Sequence, residues 1–336
     1  MKLSIISIIF NNDKNINVNK FIDGFSVQED QDFELILVFQ KVTKKLMNKL
    51  KKVPNKLKDK IKFIFNYKSI SYEQCIFQGM EKAMGRYISI INTDNKIKDY
   101  LVKRLNEINQ EDVQIVEYKP RLVGNVKWKP IKRLEENKIY DQSNIEFIAK
   151  SFPFLFNKIF KKDLVEKVLK IKNLELRVNS KLSINILYYL LLNTNTYKYI
   201  DQRITREYIA KKFSAFSKTY NKSWINLCKY IHENNINAKE ELFYARIYFE
   251  ALLLPGLLFG NSHWFSKIYK KLSLHSNKPS ELNIKAISDK INKIYESKKD
   301  PVSANKYINQ NNLEAQTLLK PIELSSWNKI LSNFEE

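Results

Sequence analysis

The sequence predicts an α/β fold in which a mostly parallel sheet is flanked by helices and is followed by a mainly α-helical region. The first half of the 336-residue chain alternates strand-like and helix-like segments four times, which is typical of a parallel sheet. The strand-like runs are nearly continuous in apolar residues, as expected for strands that are buried on both faces. From about residue 205 the apolar spacing is helical almost throughout.

The first strands follow from short apolar runs. LSIISIIF at 3 to 10 predicts one strand and FELILVF at 33 to 39 predicts the next, with an amphipathic stretch about one helix long between them. KKLMNKLKK predicts a basic helix that ends near Pro54, and KIKFIFNY predicts a third strand. Together these segments make the first strand–helix–strand units of the sheet.

The fourth strand follows a well-marked helix. SYEQCIFQGMEKAM predicts this helix, with Gly85 as its C-terminal cap, and RYISII predicts the strand. Further along, DYLVKRLNEI predicts a helix and VQIVEYKPRLV a strand, whereas VKWKPIKRLEEN is typical of a loop. Residues 145–172 have helical spacing, and LSINILYYLLL predicts an apolar helix.

The length of the chain exceeds one ordinary core of about 150 residues. We therefore place a sheet domain at residues 1–205, a helical domain at 206–300 and a tail of unassigned order at 301–336. The tail begins at Pro301 and is rich in asparagine, which is why it is set apart.

Composition limits the location and the partners of the protein. Two widely spaced cysteines favour a reducing cytoplasm over a secreted, disulfide-bonded protein. The N-terminal apolar run is interpreted as a strand and not a signal peptide, and ALLLPGLLFG at 251 to 260 is too short to span a membrane. The net charge of +22 favours a polyanion, either nucleic acid or an anionic membrane surface. Lysine abundance also follows from an AT-rich genome, and the scarcity of arginine argues against specific nucleic-acid recognition.

Polar residues follow several of the predicted strands. Asn11, the segment from Phe39 to Lys41 and the segment from Asn92 to Asn95 all occupy such positions. Because the carboxyl ends of parallel strands meet at one edge of a sheet, these residues should lie along the same edge. The lone carboxylate of Asp94 stands between two asparagines there, and a polar turn is the alternative to a binding role.

Four segments carry a resemblance to a known family, and they are SIISIIFN at 4 to 11, QEDQDFELILV at 28 to 38, GMEKAMGRYISIINTDNKI at 79 to 97 and NKIFKKDLVEK at 157 to 167. In order and spacing they resemble the family 2 glycosyltransferases, which use a GT-A fold to transfer a sugar from a nucleotide diphosphate sugar. The resemblance covers roughly residues 1–210. It implies a GT-A-like sheet and a nucleotide-sugar pocket formed by Asn11, Gln40, Asn92, Asp94 and Asn95.

The resemblance also implies a metal ion, Mg²⁺ or Mn²⁺, bound by Asp94. The acidic motif of the family is degenerate here, because Asn92 replaces its first acid and Phe39-Gln40 replaces an aspartate after the second strand. Magnesium takes only one or two carboxylates in many sites, so one aspartate could still bind it. A glutamine amide both donates and accepts, so Gln40 could still recognise uracil.

Among the differences from the family pattern, the one with the largest expected effect on the reaction rate concerns the general base. The family places an acid near residues 178–182, but this chain has none between Glu175 and Asp201. A positioned base is worth roughly 10²- to 10⁴-fold in rate. Glu175 is the nearest substitute, with a solvated surface charge as the alternative interpretation.

Two hypotheses follow from the resemblance, and a third follows from charge alone. The first is a cytoplasmic enzyme, peripheral on the inner face of the membrane, that transfers a hexose from a uridine diphosphate sugar to a lipid or polysaccharide acceptor. The second is a catalytically inactive glycosyltransferase-like protein that binds or scaffolds an active enzyme. The third is a basic nucleic-acid-binding protein, whose affinity would fall steeply with salt.

Overall fold

The structure is a computed structural model that describes residues 1–10, 18–48, 50, 53–108, 111–172, 174–209, 217–259, 281–297 and 299–336. The chain divides into two compact units. Unit 1 comprises Met1–Pro120, Leu134–Asn144 and Phe152–Glu207. Unit 2 comprises Arg121–Arg133, Ile145–Ser151 and Tyr208–Glu336.

The described strands are β1 Leu3–Ile9, β2 Phe33–Phe39, β3 Ile61–Phe65, β4 Tyr87–Ile90, β5 Ile115–Tyr118, β6 Leu122–Gly124, β7 Ile139–Asp141, β8 Lys158–Lys161, β9 Thr196–Ile200 and β10 Glu207–Ile209. The helices of the first two hundred residues are α1 Val18–Ser26, α2 Lys44–Met47, α3 Tyr72–Lys82, α4 Leu101–Glu107, α5 Glu146–Lys150, α6 Lys162–Leu169 and α7 Ile184–Asn193. Later helices are α8 Ser217–Glu233, α9 Lys239–Ile247 and α10 Leu254–Phe259, and then Glu281–Ser297, Lys299–Ala304 and Leu313–Leu318.

Unit 1 is built on an eight-stranded sheet with the order β3-β2-β1-β4-β8-β5-β9-β7. The pairs β1–β2, β2–β3, β1–β4 and β5–β9 are parallel. Only β8 and β7 run against the other strands of this sheet. The mostly parallel sheet and the helical C-terminal region confirm the predicted fold class.

Both faces of the central strand are covered, which explains its continuous apolar sequence. Leu3, Ile5 and Ile9 of β1 join a buried cluster with apolar residues of α1 and α4. Ile6, which points to the other face, lies against Gly79 of α3 so closely that a Cβ there would come within 2.5 Å of it. A strand covered by helices on both sides has no solvent face, so its sequence does not alternate.

The strand order changes direction between β1 and β4, and this position locates the candidate site. Strands β1, β2 and β3 progress to one side, whereas the next strand, β4, lies on the other side of β1. In open α/β sheets the connections diverge at such a point and leave a crevice outside the carboxyl ends of the strands. The turn that follows β4 therefore lies at the end of the sheet where such a crevice is expected.

The prediction of helical structure throughout residues 145–172 is wrong in part. Lys158–Lys161 forms strand β8, which is antiparallel and lies between β4 and β5. The lysine that begins this strand is completely buried beside Glu117, at 3.2 Å, and also donates to the backbone carbonyls of Phe152 and Phe154. The contact with Glu117, which is distant in the chain and which sequence spacing does not show, allows the segment to enter the sheet.

The prediction that Gly85 caps α3 is also wrong. The helix ends at Lys82 with Ala83 as its C-cap. Gly85 is needed because its backbone lies against β1, where a Cβ would come within 2.6 Å of the Ser4 nitrogen. Its N–H donates to the Ser4 hydroxyl, which in turn donates to the buried Glu34.

The most apolar helix of unit 2 runs continuously from Lys239 to Phe259, with a π-helical segment at Tyr248–Leu253. It is longer than the apolar run seen in the sequence, and its length and mean hydropathy of 1.5 would allow it to cross a membrane. However, 78% of its most apolar window is buried by the protein itself. Such burial is also found in the core helix of a globular unit.

Buried charges in unit 2 are paired. The guanidinium of Arg133 makes two 2.7 Å hydrogen bonds to the carboxylate of Glu314 and lies 3.5 Å from the centre of the Tyr248 ring. Glu250, which is buried on the long helix, pairs with Arg246 and Lys290. Trp128, from the predicted loop, is buried and forms a backbone bridge with Leu122.

We expect Lys158→Met to lower the free energy of unfolding by about 3–5 kcal/mol, because it leaves the buried Glu117 carboxylate without its cation. Urea titration measures the change. Lys138→Met is the matched control, since Lys138 forms an exposed pair with Glu135 and such pairs contribute about 1 kcal/mol or less. Equal losses for the two variants would contradict this prediction.

Candidate functional site

The centre of the site is an ion-paired lysine next to Asp94. Lys181 Nζ lies 2.7 Å from Asp94 Oδ1, 2.6 Å from Asp94 Oδ2 and 2.8 Å from Glu207 Oε1. Burial lowers the pKa of Lys181, but the charges of Glu207 and Asp94 outweigh this effect, and the pKa is raised overall. Lys181 is therefore a cation held between two carboxylates.

Glu207 is a site residue that the sequence analysis missed. Its side chain is only 1% exposed, and it accepts hydrogen bonds from the amides of Asn92 at 2.9 Å and Asn95 at 2.8 Å. It is the first residue of β10, more than 100 positions after Asp94. The signal in the sequence is only an acid in a short apolar run.

The turn after β4 holds Asn92 and Asp94 at the strand-order change. The Asn95 N–H donates to the Asn92 carbonyl and closes the turn. The Thr93 hydroxyl donates to the carbonyl of Ile8 in β1. Asn92 also accepts a 2.6 Å hydrogen bond from the hydroxyl of Tyr72, at the start of α3.

Gln40, which follows β2, joins the same network through Asn179. Its amide nitrogen donates to Asn179 Oδ1 at 2.6 Å and to the carbonyl of Ile70 at 2.7 Å. The Tyr72 N–H donates to the same Asn179 oxygen. A chain of contacts therefore links Gln40 to Asn92, and through Glu207 and Lys181 to Asp94. Because both amide donors of Gln40 are used within the protein, its carbonyl oxygen is the part of this amide that remains to accept a hydrogen bond.

A buried carboxylate fixes the segment that carries Lys181. Glu73 Oε2 accepts from the Val178 N–H at 2.9 Å, and Oε1 accepts from the Ser183 hydroxyl at 2.8 Å. Burial raises the pKa of Glu73 to about 7, even though these donors favour the charged form. Ser71 caps α3 just before Glu73 and also donates to the carbonyl of Leu176. The loop before α7 is thus attached to the start of α3.

The remaining predicted site residues have different surroundings. Glu175 lies in the same loop, where its carboxylate pairs with Arg177 at 3.6 Å and its carbonyl accepts from Asn185. No contact described here tests its role as a base, so that role stays a prediction. Asn11 lies outside the described residues.

The residues around Asp94 do not fit a divalent metal ion well. Both oxygens of its carboxylate already contact the ammonium of Lys181. The asparagines nearby direct their amide nitrogens to Glu207, whereas Mg²⁺ requires oxygen ligands. Among the described residues, no group of three or more His, Cys, Asp or Glu side chains could hold a metal. The predicted metal role of Asp94 remains untested.

Unit 1 also has a polar cavity, of about 760 Å³. Its lining includes the basic side chains of Lys103, Arg104 and Arg203, together with Glu29 and Glu107. Asp94 and Gln40 are not among its lining residues, so this cavity is separate from the network.

Comparisons with known proteins give structural matches only. No protein-family model matches the chain, and no curated protein sequence matches it. Solved structures of the glycosyltransferase TarS from S. aureus are similar to it. One TarS structure is 13% identical, with a TM-score of 0.58, and the match covers 95% of this chain and 55% of that one.

Two further TarS structures contain nucleotides. The structure of residues 1–349 with UDP-GlcNAc is 14% identical, with a TM-score of 0.53, over 95% of this chain and 78% of that one. The structure with UDP is 15% identical, with a TM-score of 0.50, over 94% and 77%. At this identity the likeness shows the fold alone. The chain has a GT-A-like fold.

We expect Glu73→Gln to change how stability depends on pH. The pKa of Glu73 is raised to about 7 in the folded protein from 4.5, so between these values the unfolded chain releases the proton first and stability falls as pH rises. The cost approaches about 3 kcal/mol above pH 7 and is absent below pH 4.5. The glutamine variant should therefore gain stability relative to the wild type as pH rises from 5 to 7.5.

Urea titrations at these two pH values measure this difference for Glu73→Gln. Glu136→Gln, at an exposed position, is the control for the loss of one carboxylate. A stability difference for Glu73→Gln that does not change with pH would show that this carboxyl titrates normally.

Proposed function

We propose that the protein is a glycosyltransferase that transfers a hexose from a uridine diphosphate sugar to a lipid or polysaccharide acceptor. The observation that carries the proposal is the linked set of Gln40, which follows β2, with Asn92 and Asp94, which lie at the strand-order change of a GT-A-like sheet. Open α/β sheets bind ligands at this position. The likeness to TarS, whose structures contain UDP-GlcNAc and UDP, supports the choice of donor.

In this proposal Gln40 recognises the base. Its free carbonyl oxygen would accept from the N3–H of uracil, because its amide donors are held by Ile70 and Asn179. Asn92, Asp94 and Asn95 would border the diphosphate and the sugar, and Glu175 is the proposed base. The net charge of +22 supports a cytoplasmic location at an anionic membrane surface, where a lipid acceptor would be available.

A second candidate function is a glycosyltransferase-like binding protein without turnover. The observation that favours it is the internal use of the carboxylates around Asp94. Glu207 is buried and contacts Lys181, Asn92 and Asn95, and Asp94 contacts Lys181 through both oxygens. A base must reach the proton that it removes, and these contacts restrict both carboxylates.

Calorimetric titration of the purified protein tests the donor site. We expect UDP and UDP-GlcNAc to bind more tightly than the corresponding adenosine and guanosine compounds. Gln40→Leu should weaken UDP binding about tenfold through the loss of one buried hydrogen bond. Gln316→Leu, at an exposed position of the last helix, should leave it unchanged.

The outcomes separate the two functions. Absence of UDP binding at millimolar concentration would remove the donor site from both. Binding accompanied by UDP release from the sugar nucleotide, which Asp94→Asn abolishes, supports the transferase. Binding without release, with a panel of lipid and glycan acceptors, supports the inactive binding protein.

A further inference from the structure

The carboxylates of Asp94 and Glu207 together form a site for one cation. Asp94 Oδ2 and Glu207 Oε1 both contact Lys181 Nζ, at 2.6 and 2.8 Å. The separation of the two oxygens therefore cannot exceed the sum of these two distances. Glu207 is buried and Asp94 is mostly buried. Two like charges this close would repel strongly in a medium of low dielectric constant. A positive charge between them is required for both to remain ionised.

Lys181 supplies that charge through a short, well-defined set of contacts. Its ammonium group contacts three carboxylate oxygens, two of Asp94 and one of Glu207. The distances are those of charge-assisted hydrogen bonds. The loop that carries Lys181 is held in place by Glu73, which accepts from Val178 and Ser183 on either side of it.

The same oxygens would suit a divalent ion if the ammonium were absent. Mg²⁺ is commonly bound through one or two carboxylates, with waters and substrate phosphates in the rest of its shell. The ammonium and a metal ion therefore compete for one position, and the lysine is covalently part of the chain. We propose that Lys181 is the resident cation of this site, that it takes the place of a divalent metal ion, and that the wild-type protein binds no metal between Asp94 and Glu207.

Removal of the lysine side chain should turn the position into a metal site. Binding of Mn²⁺ is measured by the loss of the free-ion signal in electron paramagnetic resonance, with no nucleotide present. We expect the wild type to show no Mn²⁺ binding that depends on Asp94. Lys181→Ala should bind one Mn²⁺ at least about tenfold more tightly than the wild type.

Three variants control the interpretation. Lys181→Arg keeps the charge and should gain no Mn²⁺ binding. Lys181→Ala combined with Asp94→Asn should lose the binding gained by the single variant. Lys62→Ala removes the lysine from another buried carboxylate, Glu34, and should gain no Mn²⁺ binding, because no second carboxylate in the described part of the chain shares that lysine.

Mn²⁺ binding by the wild type and by Lys181→Ala decides whether the proposal holds. Mn²⁺ binding by the wild type that Asp94→Asn abolishes would overturn it, as would a folded Lys181→Ala variant that gains no Mn²⁺. A Lys181→Ala variant that folds only with Mn²⁺ supports it. If that variant does not fold under any condition, the comparison of wild type with Asp94→Asn gives the answer alone.

A nucleotide experiment extends the inference and rests on the proposed function. If UDP binds the wild type, its affinity should be the same in EDTA and in Mg²⁺. A large loss in EDTA would contradict the resident cation while leaving the donor site intact. Absence of UDP binding in both conditions would remove the donor site, and the Mn²⁺ measurements would still decide the role of Lys181.

Discussion

The contacts of Lys181 with Asp94 and Glu207 are the interaction on which the arrangement of the candidate site depends. They join the turn after β4, the loop before α7 and the start of β10, which are far apart in sequence. Without the ammonium, two largely desolvated carboxylates would face each other, and the effective cost of burying each such charge is several kcal/mol. The hydrogen bonds from Asn92 and Asn95 to Glu207 then orient the turn. The position of Asp94 is thus set by charge compensation as much as by the sheet.

Charge compensation also governs the positions where charged residues enter the sheet. Glu117 and Lys158 are both fully buried and pair across β5 and β8, and Asn157 and the Phe152 N–H also donate to the carboxylate. An ion pair of this kind contributes little net stability compared with apolar residues, but loss of one partner is costly. The pair therefore acts mainly as a constraint on which segment can lie between β4 and β5. This constraint places an antiparallel strand beside the strand-order change.

The sequence was sufficient to predict the features that depend on local pattern. Continuous apolar runs identified β1, β2 and β4 because strands buried on both faces need no polar partner, and the apolar helix Ile184–Asn193 was predicted from the same kind of signal. The chain positions of Gln40, Asn92 and Asp94 at strand ends followed from connectivity. Lys181 and Glu207 could not be predicted in this way, because each has meaning only through a partner far along the chain. Strand β8 was missed for the same reason, since its lysine is tolerated only where Glu117 meets it.

A fold of this type supplies a crevice, whereas the polar residues that border it determine the chemistry. Here Lys181 places an ammonium group between the carboxylates of Asp94 and Glu207. Each of the three charged residues, Lys181, Asp94 and Glu207, depends on the charge of the other two. If Asp94 or Glu207 were neutral, the cation would be less well compensated, and if Lys181 were neutral, the carboxylates would favour an external ion. The contacts of Gln40 with Ile70 and Asn179 differ from those of Lys181 with Asp94 and Glu207, although one hydrogen-bond network links the two residues. The proposed role of Lys181 is therefore to determine whether this edge of the sheet holds an ammonium or an external cation, and the proposed contact of Gln40 with a nucleotide does not depend on which of them is present.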